Sequence, residues 1–400
     1  MTDICTHLDR DDRVKLGAYY TPDDLVARVH DLIAPYVGRA GARSVVFDPA
    51  AGYGAFVQGL NGEVRAADID DGAVARLREV LPVDAVFHGN SLREPTRARY
   101  RIGEADTLIV VGNPPYNDTT SEFRNGRKGR NEADADLQDR DLGVSFLRSY
   151  ARLRADVVCV LHPLSYLIKR TNFRRLKEFA AHYRLRRGLL FSSAHFGQTG
   201  GTKFPVVIAL YERGAGMDYE DVRTFDFEVL ESGGTFRLDA FTTTDGLINK
   251  YPPRKQGPRE SDLGLYYYTF RDINSLLRNA GFMAAPHDNG IVVLRREFHR
   301  YAYLHAFKRF FAPADAWLYG NLSPLVKPAW LEAHRRELVA FALQDHPVLV
   351  KAAEMRASIA ADYGVDLRAA VKPAVRERLR DGIMRLAVGG AACPQAAQAR

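Results

Sequence analysis

A doubly wound, largely parallel α/β sheet of seven strands with a second domain behind it is the fold the sequence predicts, on three observations. Short β-branched apolar runs alternate with amphipathic segments through the first half of the chain. A glycine-spaced turn follows the first of those runs, where such folds place their ligand loops. After Arg213-Gly214-Ala215-Gly216 the alternation stops and aromatic clusters replace it, which sets the expected domains at 1–215 and 216–400. A chain of 400 residues is long enough for both.

Taken in order, the strand candidates are residues 44–47, 63–67, 85–88, 107–111, 156–161, 189–191 and 205–211. Each is a short run rich in Val, Ile, Leu or Phe, of the length a buried strand needs. The helix candidates between them are 25–34, 73–80, 144–153 and 174–182, whose apolar residues recur at helical spacing. Ahead of the first helix, Thr21 suits an N-cap, Pro22 the first helical position, and Asp23 and Asp24 the positive end of the helix.

Composition narrows the class. With 46% hydrophobic and 26% charged residues the chain has a globular protein's balance, neither disordered nor collagen-like. Cys5, Cys159 and Cys393 are too few and too scattered for a disulfide framework or a zinc site, so no metal is expected. No run approaches 18 apolar residues and the N-terminus is charged, so neither a membrane span nor a signal peptide is expected. A reducing, cytoplasmic setting fits. The net charge of +7 suits a polyanionic partner, and the predominance of arginine over lysine behind it is also what a GC-rich genome gives.

The first chemical motif is Val45-Val46-Phe47-Asp48-Pro49-Ala50-Ala51-Gly52-Tyr53-Gly54-Ala55-Phe56, an apolar strand running into a turn. Gly52 and Gly54 allow tight turning and close approach of backbone to a ligand. The next strand candidate ends at Asp68, placed to accept from ribose hydroxyls. The third glycine of the dinucleotide fingerprint is missing and Asp48-Pro49 stands in place of the first. A nucleoside without pyrophosphate, S-adenosylmethionine, therefore fits better than NAD, with Asp48 paired to the methionine ammonium.

The second motif is Gly112-Asn113-Pro114-Pro115-Tyr116, just past a buried strand. Two prolines stiffen the loop and remove two N–H donors, leaving carbonyls free to accept. That suits a substrate amine: Asn113 and Pro114 each accept one amino hydrogen, Pro115 holds the turn, and Tyr116 offers a flat face for a planar base. The nitrogen lone pair is then aimed at a sulfonium methyl, and the step is an in-line displacement driven by positioning.

With both motifs in view the chain resembles the amino-methylating DNA methyltransferases, specifically the N6-adenine enzymes of the gamma order, found in restriction–modification systems. Gly17-Ala18-Tyr19-Tyr20-Thr21-Pro22 looks like the N-terminal cofactor motif of that order, and the match covers residues 17–211. The resemblance implies a Rossmann-like methyltransferase sheet, a C-terminal target-recognition domain and a flipped adenine in duplex DNA as substrate. It places cofactor contacts on Tyr20, Thr21, Asp48, Ala50, Gly52, Gly54, Phe56, Asp68 and Asn90, the last where the family usually has aspartate. Phe196 or Phe204 would pack on the flipped base. The resemblance implies either one half of a restriction–modification pair, with a cognate restriction endonuclease as partner, or an orphan methylase.

For the DNA backbone, Arg127 and Lys128 lie in a basic, glycine-rich stretch within residues 118–140 that suits either a phosphate grip or a solvated loop. Arg254 and Lys255, with Arg295 and Arg296, fall in basic stretches interleaved with aromatics, as phosphate-contacting segments are. Phe307 and Phe310 are expected in the core. No helix-turn-helix or zinc-finger pattern marks the base readers.

Three alternatives share the chemistry: N4-cytosine methylation of DNA, adenine methylation of RNA, and glutamine methylation of protein. C5-cytosine methylation needs a Pro-Cys nucleophile, and none of the three cysteines follows a proline. A fused nuclease of the common type needs an acidic residue two positions before a lysine, and no lysine here has one.

Overall fold

The computed structural model describes residues 21–38, 43–60, 62–116, 133–197, 203–252, 262–278 and 281–388. Two compact units divide them: the first closes at Ser232 and the second begins at Gly233, with Lys203 and Phe204 grouped with the second.

In the first unit the strands are β1 (Ser44–Asp48), β2 (Glu63–Asp68), β3 (Val86–His88), β4 (Thr107–Gly112), β5 (Val157–Pro163), β6 (Tyr183–Ser192), β7 (Pro205–Arg213) and β8 (Phe227–Val229). All seven strand candidates are present, β8 is an eighth beyond the seven expected, and the order of these strands across the sheet is β3-β2-β1-β4-β5-β7-β6-β8. β1 pairs parallel with β2 and β4, β2 with β3, and β4 with β5. Only β7 runs antiparallel, between β5 and β6. The expected Rossmann-like α/β sheet is therefore observed.

Strand order reverses between β1 and β4, the switch point where open α/β sheets bind ligands beyond the carboxyl ends of their strands. β6 is antiparallel to β7, which is antiparallel to β5, so the carboxyl ends of β1, β2, β4, β5 and β6 share one edge.

Helix α1 (Asp23–Ile33) buries Leu25, Val26, Val29 and Ile33. Its N-cap is Pro22 rather than Thr21. The helix starts one residue later than expected, and the Thr21 hydroxyl accepts from Asn113 instead of capping it. Helix α2 (Asp71–Val80) is capped by Asp70, whose carboxylate accepts from the Ala73 N–H at 2.9 Å. Helix α3 (Leu142–Arg152) is capped by Asp141 and buries Val144, Phe146, Leu147 and Tyr150. The expected helix at 174–182 is instead two short pieces, Arg170–Arg175 and Lys177–Ala180, interrupted at Leu176, which is wholly buried.

The unit boundary falls at Ser232 rather than near residue 215. Residues past the glycines still belong to the sheet, because β8 pairs parallel with β6. Gly216 marks close packing instead: a Cβ there would sit 2.6 Å from the carbonyl oxygens of Ala180 and Ala181.

The second unit carries a three-stranded antiparallel sheet, β9 (Tyr266–Tyr268) between β10 (Phe282–Met283) and β11 (Gly290–Val292). Its longer helices are α4 (Phe298–Phe310), α5 (Arg335–Asp345), α6 (Ala353–Asp362) and α7 (Pro373–Val388). Aromatic side chains supply much of the core, among them Tyr267, Phe282, Phe298, Tyr301, Tyr303 and the expected Phe307. Phe310 is half-buried against Phe341. Asp345 ties three helices together by accepting from His305, Arg309 and Arg376, each at 2.9 Å. Among the described residues no helix is long and apolar enough to cross a membrane, and no group of three or more His, Cys, Asp or Glu is placed to hold a metal ion.

Candidate active site

At the end of β1 the chain turns through two left-handed glycines, Gly52 (φ +51°) and Gly54 (φ +83°). They differ in surroundings. A Cβ on Gly54 would meet Leu77 Cδ2 of α2 at 2.8 Å, so that glycine is needed for packing. A Cβ on Gly52 would meet nothing within 4 Å, so that turn faces open space.

Asp68 holds the turn in place. Its carboxylate accepts from the Gly52 N–H at 2.7 Å and the Asp70 N–H at 2.9 Å. The Ala51 N–H donates to the Ala67 carbonyl at 3.0 Å, a second tie between the turn and β2. Burial raises the Asp68 pKa above the usual carboxylate value, against the pull of those two N–H bonds.

Asp48 ends β1 and is buried, accepting from the Ala50 N–H at 3.0 Å. Desolvation pushes its carboxyl up to about 8; the Ala50 bond opposes that and the nearby Asp68 charge adds to it. Gly112 at the end of β4 packs directly on this carboxyl. A Cβ at Gly112, whose φ is +146°, would lie 2.8 Å from Asp48 Oδ1. The Asn-Pro-Pro-Tyr loop thus begins against the residue that ends the glycine motif's strand.

Asn113 follows, half-exposed at the crevice. Its Nδ2 donates to Thr21 Oγ1 at 3.2 Å, while its Oδ1 accepts from the Tyr116 hydroxyl. The two contacts agree on one orientation of the amide. The Tyr116 hydroxyl also lies 3.2 Å from the Leu161 carbonyl of β5, so the loop is stapled to the neighbouring strand. Pro114 is buried and Pro115 half-buried.

Of the other expected residues, Ala50 lies in the turn as Asp48's partner, and Phe56 is buried with its carbonyl bonded to His30 Nε2 at 2.9 Å. Asn90 sits after β3 with its amide oxygen accepting from the Leu92 N–H at 2.9 Å. Phe196 ends the short 3-10 turn Ser193–Phe196 after β6, on the shared edge, half-buried with its ring edge-on to Phe191. Phe204, its competitor, is half-buried too.

Arg295 and Arg296 part company. The Arg295 guanidinium donates to Ser358 Oγ at 2.7 Å and to Asp362 Oδ2 at 2.5 Å, and its backbone N–H donates to Asp262. The Arg296 side chain is 81% exposed. Both line a cleft in the second unit with Asp262, Leu294, Asp362 and Tyr363. Tyr20, Arg127, Lys128, Arg254 and Lys255 lie outside the described residues.

Two features of the site went unread in the sequence. Gly112 looks like a strand terminator, and its role against Asp48 depends on the β1–β4 pairing. Tyr150 of α3 is fully buried, and among the described residues its hydroxyl has no hydrogen-bond partner. Burial, followed by the charge of Asp48, raises its pKa. In the sequence it looks like one more apolar position on a helix face.

No protein-family model and no curated protein matches the sequence. Among solved structures it is similar to a candidate class I S-adenosylmethionine-dependent methyltransferase from Listeria monocytogenes, at 13% identity and a TM-score of 0.35 over 48% of this chain and 60% of that one. A candidate RNA methyltransferase from Pyrococcus horikoshii is 21% identical with a TM-score of 0.34, over 50% of this chain and 88% of that one. A type I restriction-modification methyltransferase subunit from Streptococcus thermophilus is 13% identical with a TM-score of 0.34, over 56% of this chain and 48% of that one.

The raised Asp48 pKa has a consequence for stability. The folded protein keeps this proton up to a pH of about 8, whereas the unfolded chain loses it at about 4. Between those values the folded state binds more protons, so stability falls as pH rises. Asp48→Asn removes the titration. Thermal melts of both proteins from pH 5 to 9 are expected to show the variant gaining on the wild type as pH rises. Parallel curves would mean that Asp48 is ionised throughout.

Proposed function

We propose that the chain is an S-adenosylmethionine-dependent DNA methyltransferase that modifies the exocyclic N6 of an adenine flipped out of the duplex. The observation that carries this is the seat of Asn113-Pro114-Pro115-Tyr116 at the carboxyl end of β4, against Asp48 and across the switch point from the glycine turn. The open space over Gly52 and the buried carboxyl of Asp48 suit a cofactor with a flat nucleoside and an ammonium group. Asp48, Gly52 and Asp68 would hold it.

Bound there, the cofactor would supply an electrophilic methyl, which the amine nitrogen would take as the methyl's bond to sulfur gives way and leaves its electron pair on sulfur. Asn113 Oδ1 and the Pro114 carbonyl accept the two amine hydrogens and turn the nitrogen lone pair toward that methyl. The Thr21 hydroxyl accepts from the Asn113 Nδ2 and so fixes which end of the amide is left to accept. The surplus proton leaves to water. The Tyr116 ring stacks on the base once its hydroxyl has released Asn113, and Phe196 packs on the base from the end of β6.

Duplex DNA is favoured over RNA or a protein glutamine because a second unit follows the catalytic one and the chain is net basic. Adenine is favoured over cytosine by the order of the motifs. In this reading the second unit, with Arg296 exposed, serves target recognition, and the basic stretches outside the described residues add phosphate contacts.

Two substitutions separate the roles. Asn113→Ala is expected to abolish methyl transfer to duplex DNA in single turnover while cofactor affinity stays within a few-fold. Asp68→Ala is expected to cost cofactor binding about 1.5–3 kcal/mol, the worth of a hydrogen bond to a charged group. Isothermal calorimetry and transfer of a labelled methyl group check both, and a tenth of wild-type rate in Asn113→Ala would sink its assignment.

Tyr116 gives a finer test, because its ring and its hydroxyl have different jobs. Tyr116→Phe frees Asn113 Oδ1 and keeps the stacking face, so kcat is expected to hold or rise. Tyr116→Ala removes the ring and is expected to lose at least tenfold in kcat, since base stacking on an aromatic is worth roughly 1–3 kcal/mol. Equal loss in both would assign the hydroxyl, not the ring, to the reaction.

A further inference from the structure

Residues 169–177 read Lys-Arg-Thr-Asn-Phe-Arg-Arg-Leu-Lys, five cations in nine positions with no acid among them. They follow β5 on the first unit, between the carboxyl end of that strand and β6. Leu164, Leu167, Ile168, Leu176 and Phe179 are buried and root the segment in the core. Arg175 is used internally, on Asp139 just ahead of α3. Arg170, Arg174 and Lys177 are exposed.

Among the described residues those three have no carboxylate partner, which they share with the exposed Arg28, Arg78 and Arg213 and which separates them from the paired arginines of this unit. Arg43 pairs with Asp106, Arg152 with Asp134, Arg184 with Asp221, Arg186 with Glu212 and Arg187 with Glu228. No described carboxylate pairs with Arg170, Arg174 or Lys177. Arg170 is nonetheless held: its guanidinium lies 4.2 Å from the centre of the Tyr219 ring, and the Tyr219 hydroxyl donates to the Ile168 carbonyl at 2.7 Å. A cation fixed on an aromatic face, with no carboxylate to neutralise it, is preorganised for an external anion. Arg170 and Arg174 stand four residues apart on one short helix, about 6 Å along its axis, within reach of successive phosphates of one strand.

We infer that Arg170, Arg174 and Lys177 form a phosphate-binding face on the catalytic unit itself, which grips the backbone of duplex DNA. The inference rests on the DNA reading above. It assigns part of the DNA grip to the unit that carries the reaction loop, in addition to the second unit. Such contacts carry no sequence information and position the duplex.

The test is fluorescence anisotropy of the full chain on a labelled mixed-sequence duplex of about 30 base pairs, titrated between roughly 50 and 200 mM salt. Arg170→Gln/Arg174→Gln/Lys177→Gln is expected to bind at least tenfold more weakly at the upper salt value. Its salt slope should flatten by about two to three, at roughly 0.9 for each phosphate no longer neutralised. The control is Arg184→Gln/Arg186→Gln/Arg187→Gln, which removes the same charge from paired arginines and is expected to change the slope by less than one. Arg174→Gln/Lys177→Gln leaves Arg170 on Tyr219 and should fall between wild type and the triple variant, which covers the case of a triple variant that melts early. If wild type binds duplex and both triple variants behave alike, the face is wrong while the DNA reading stands. Weakening confined to an RNA hairpin would overturn the duplex assignment, and a wild type that binds no duplex would overturn both readings.

Discussion

The contact between the Asp48 carboxyl and the backbone of Gly112 is the constraint on which the rest of the site depends. Adjacent parallel strands β1 and β4 bring their carboxyl ends together, and there is no room between them for a side chain at position 112. One strand therefore delivers a buried carboxyl and the other delivers a loop that starts immediately on top of it. The two motifs, more than 60 positions apart in sequence, become a single crevice because strand order reverses at that pair.

Around that contact each neighbour is fixed by a short, specific bond rather than by bulk packing. Asp68 of β2 ties the glycine turn through the Gly52 N–H. Thr21 and Tyr116 hold opposite ends of the Asn113 amide. Tyr116 is bound in turn to β5 through the Leu161 carbonyl. Two sets of polar bonds thus sit side by side, one tying the glycine turn to β2 and one tying the Asn113 loop to Thr21 and β5, and they meet where Gly112 packs on Asp48. Chemistry driven by alignment needs that kind of rigidity, since small misplacements of reacting groups cost large factors in rate.

How much of this was legible in the sequence follows from what each signal depends on. The β-branched runs revealed every strand of the expected seven, because a strand buried on both faces has to be apolar along its length. The helix expected at 174–182 is broken at Leu176, which fits the apolar spacing and is buried while its backbone, at φ −90° and ψ 9°, leaves the helical range. Arg213-Gly214-Ala215-Gly216 suggested a domain boundary because glycine clusters usually mark loops. Here Gly216 is needed for close approach to the carbonyls of Ala180 and Ala181, inside the unit. Gly52, Asp68 and Asn113 could be named from spacing alone. Gly112 and Tyr150 could not, since their meaning lies in neighbours that only the pairing of β1 with β4 and the docking of α3 supply.

The electrostatics of the crevice bear on which proton transfers the proposed reaction can use. The nearest buried carboxyl, Asp48, holds its proton up to a pH of about 8 by itself, because burial outweighs the single backbone bond it receives. A neutral acid of that kind does not accept a proton from a substrate amine. A bound ammonium would draw the proton off, and the resulting carboxylate would then be committed to that ion pair. In neither state does Asp48 serve as a base, and Asn113, the side chain proposed to face the substrate, does not titrate. For the proposed reaction that leaves lone-pair alignment by neutral acceptors as the means of activating the amine. In the same proposal, capture of a cofactor's ammonium would be linked to loss of a proton from the protein. The same desolvation that disfavours a lone carboxylate at Asp48 makes it a strong partner once the ammonium is in place.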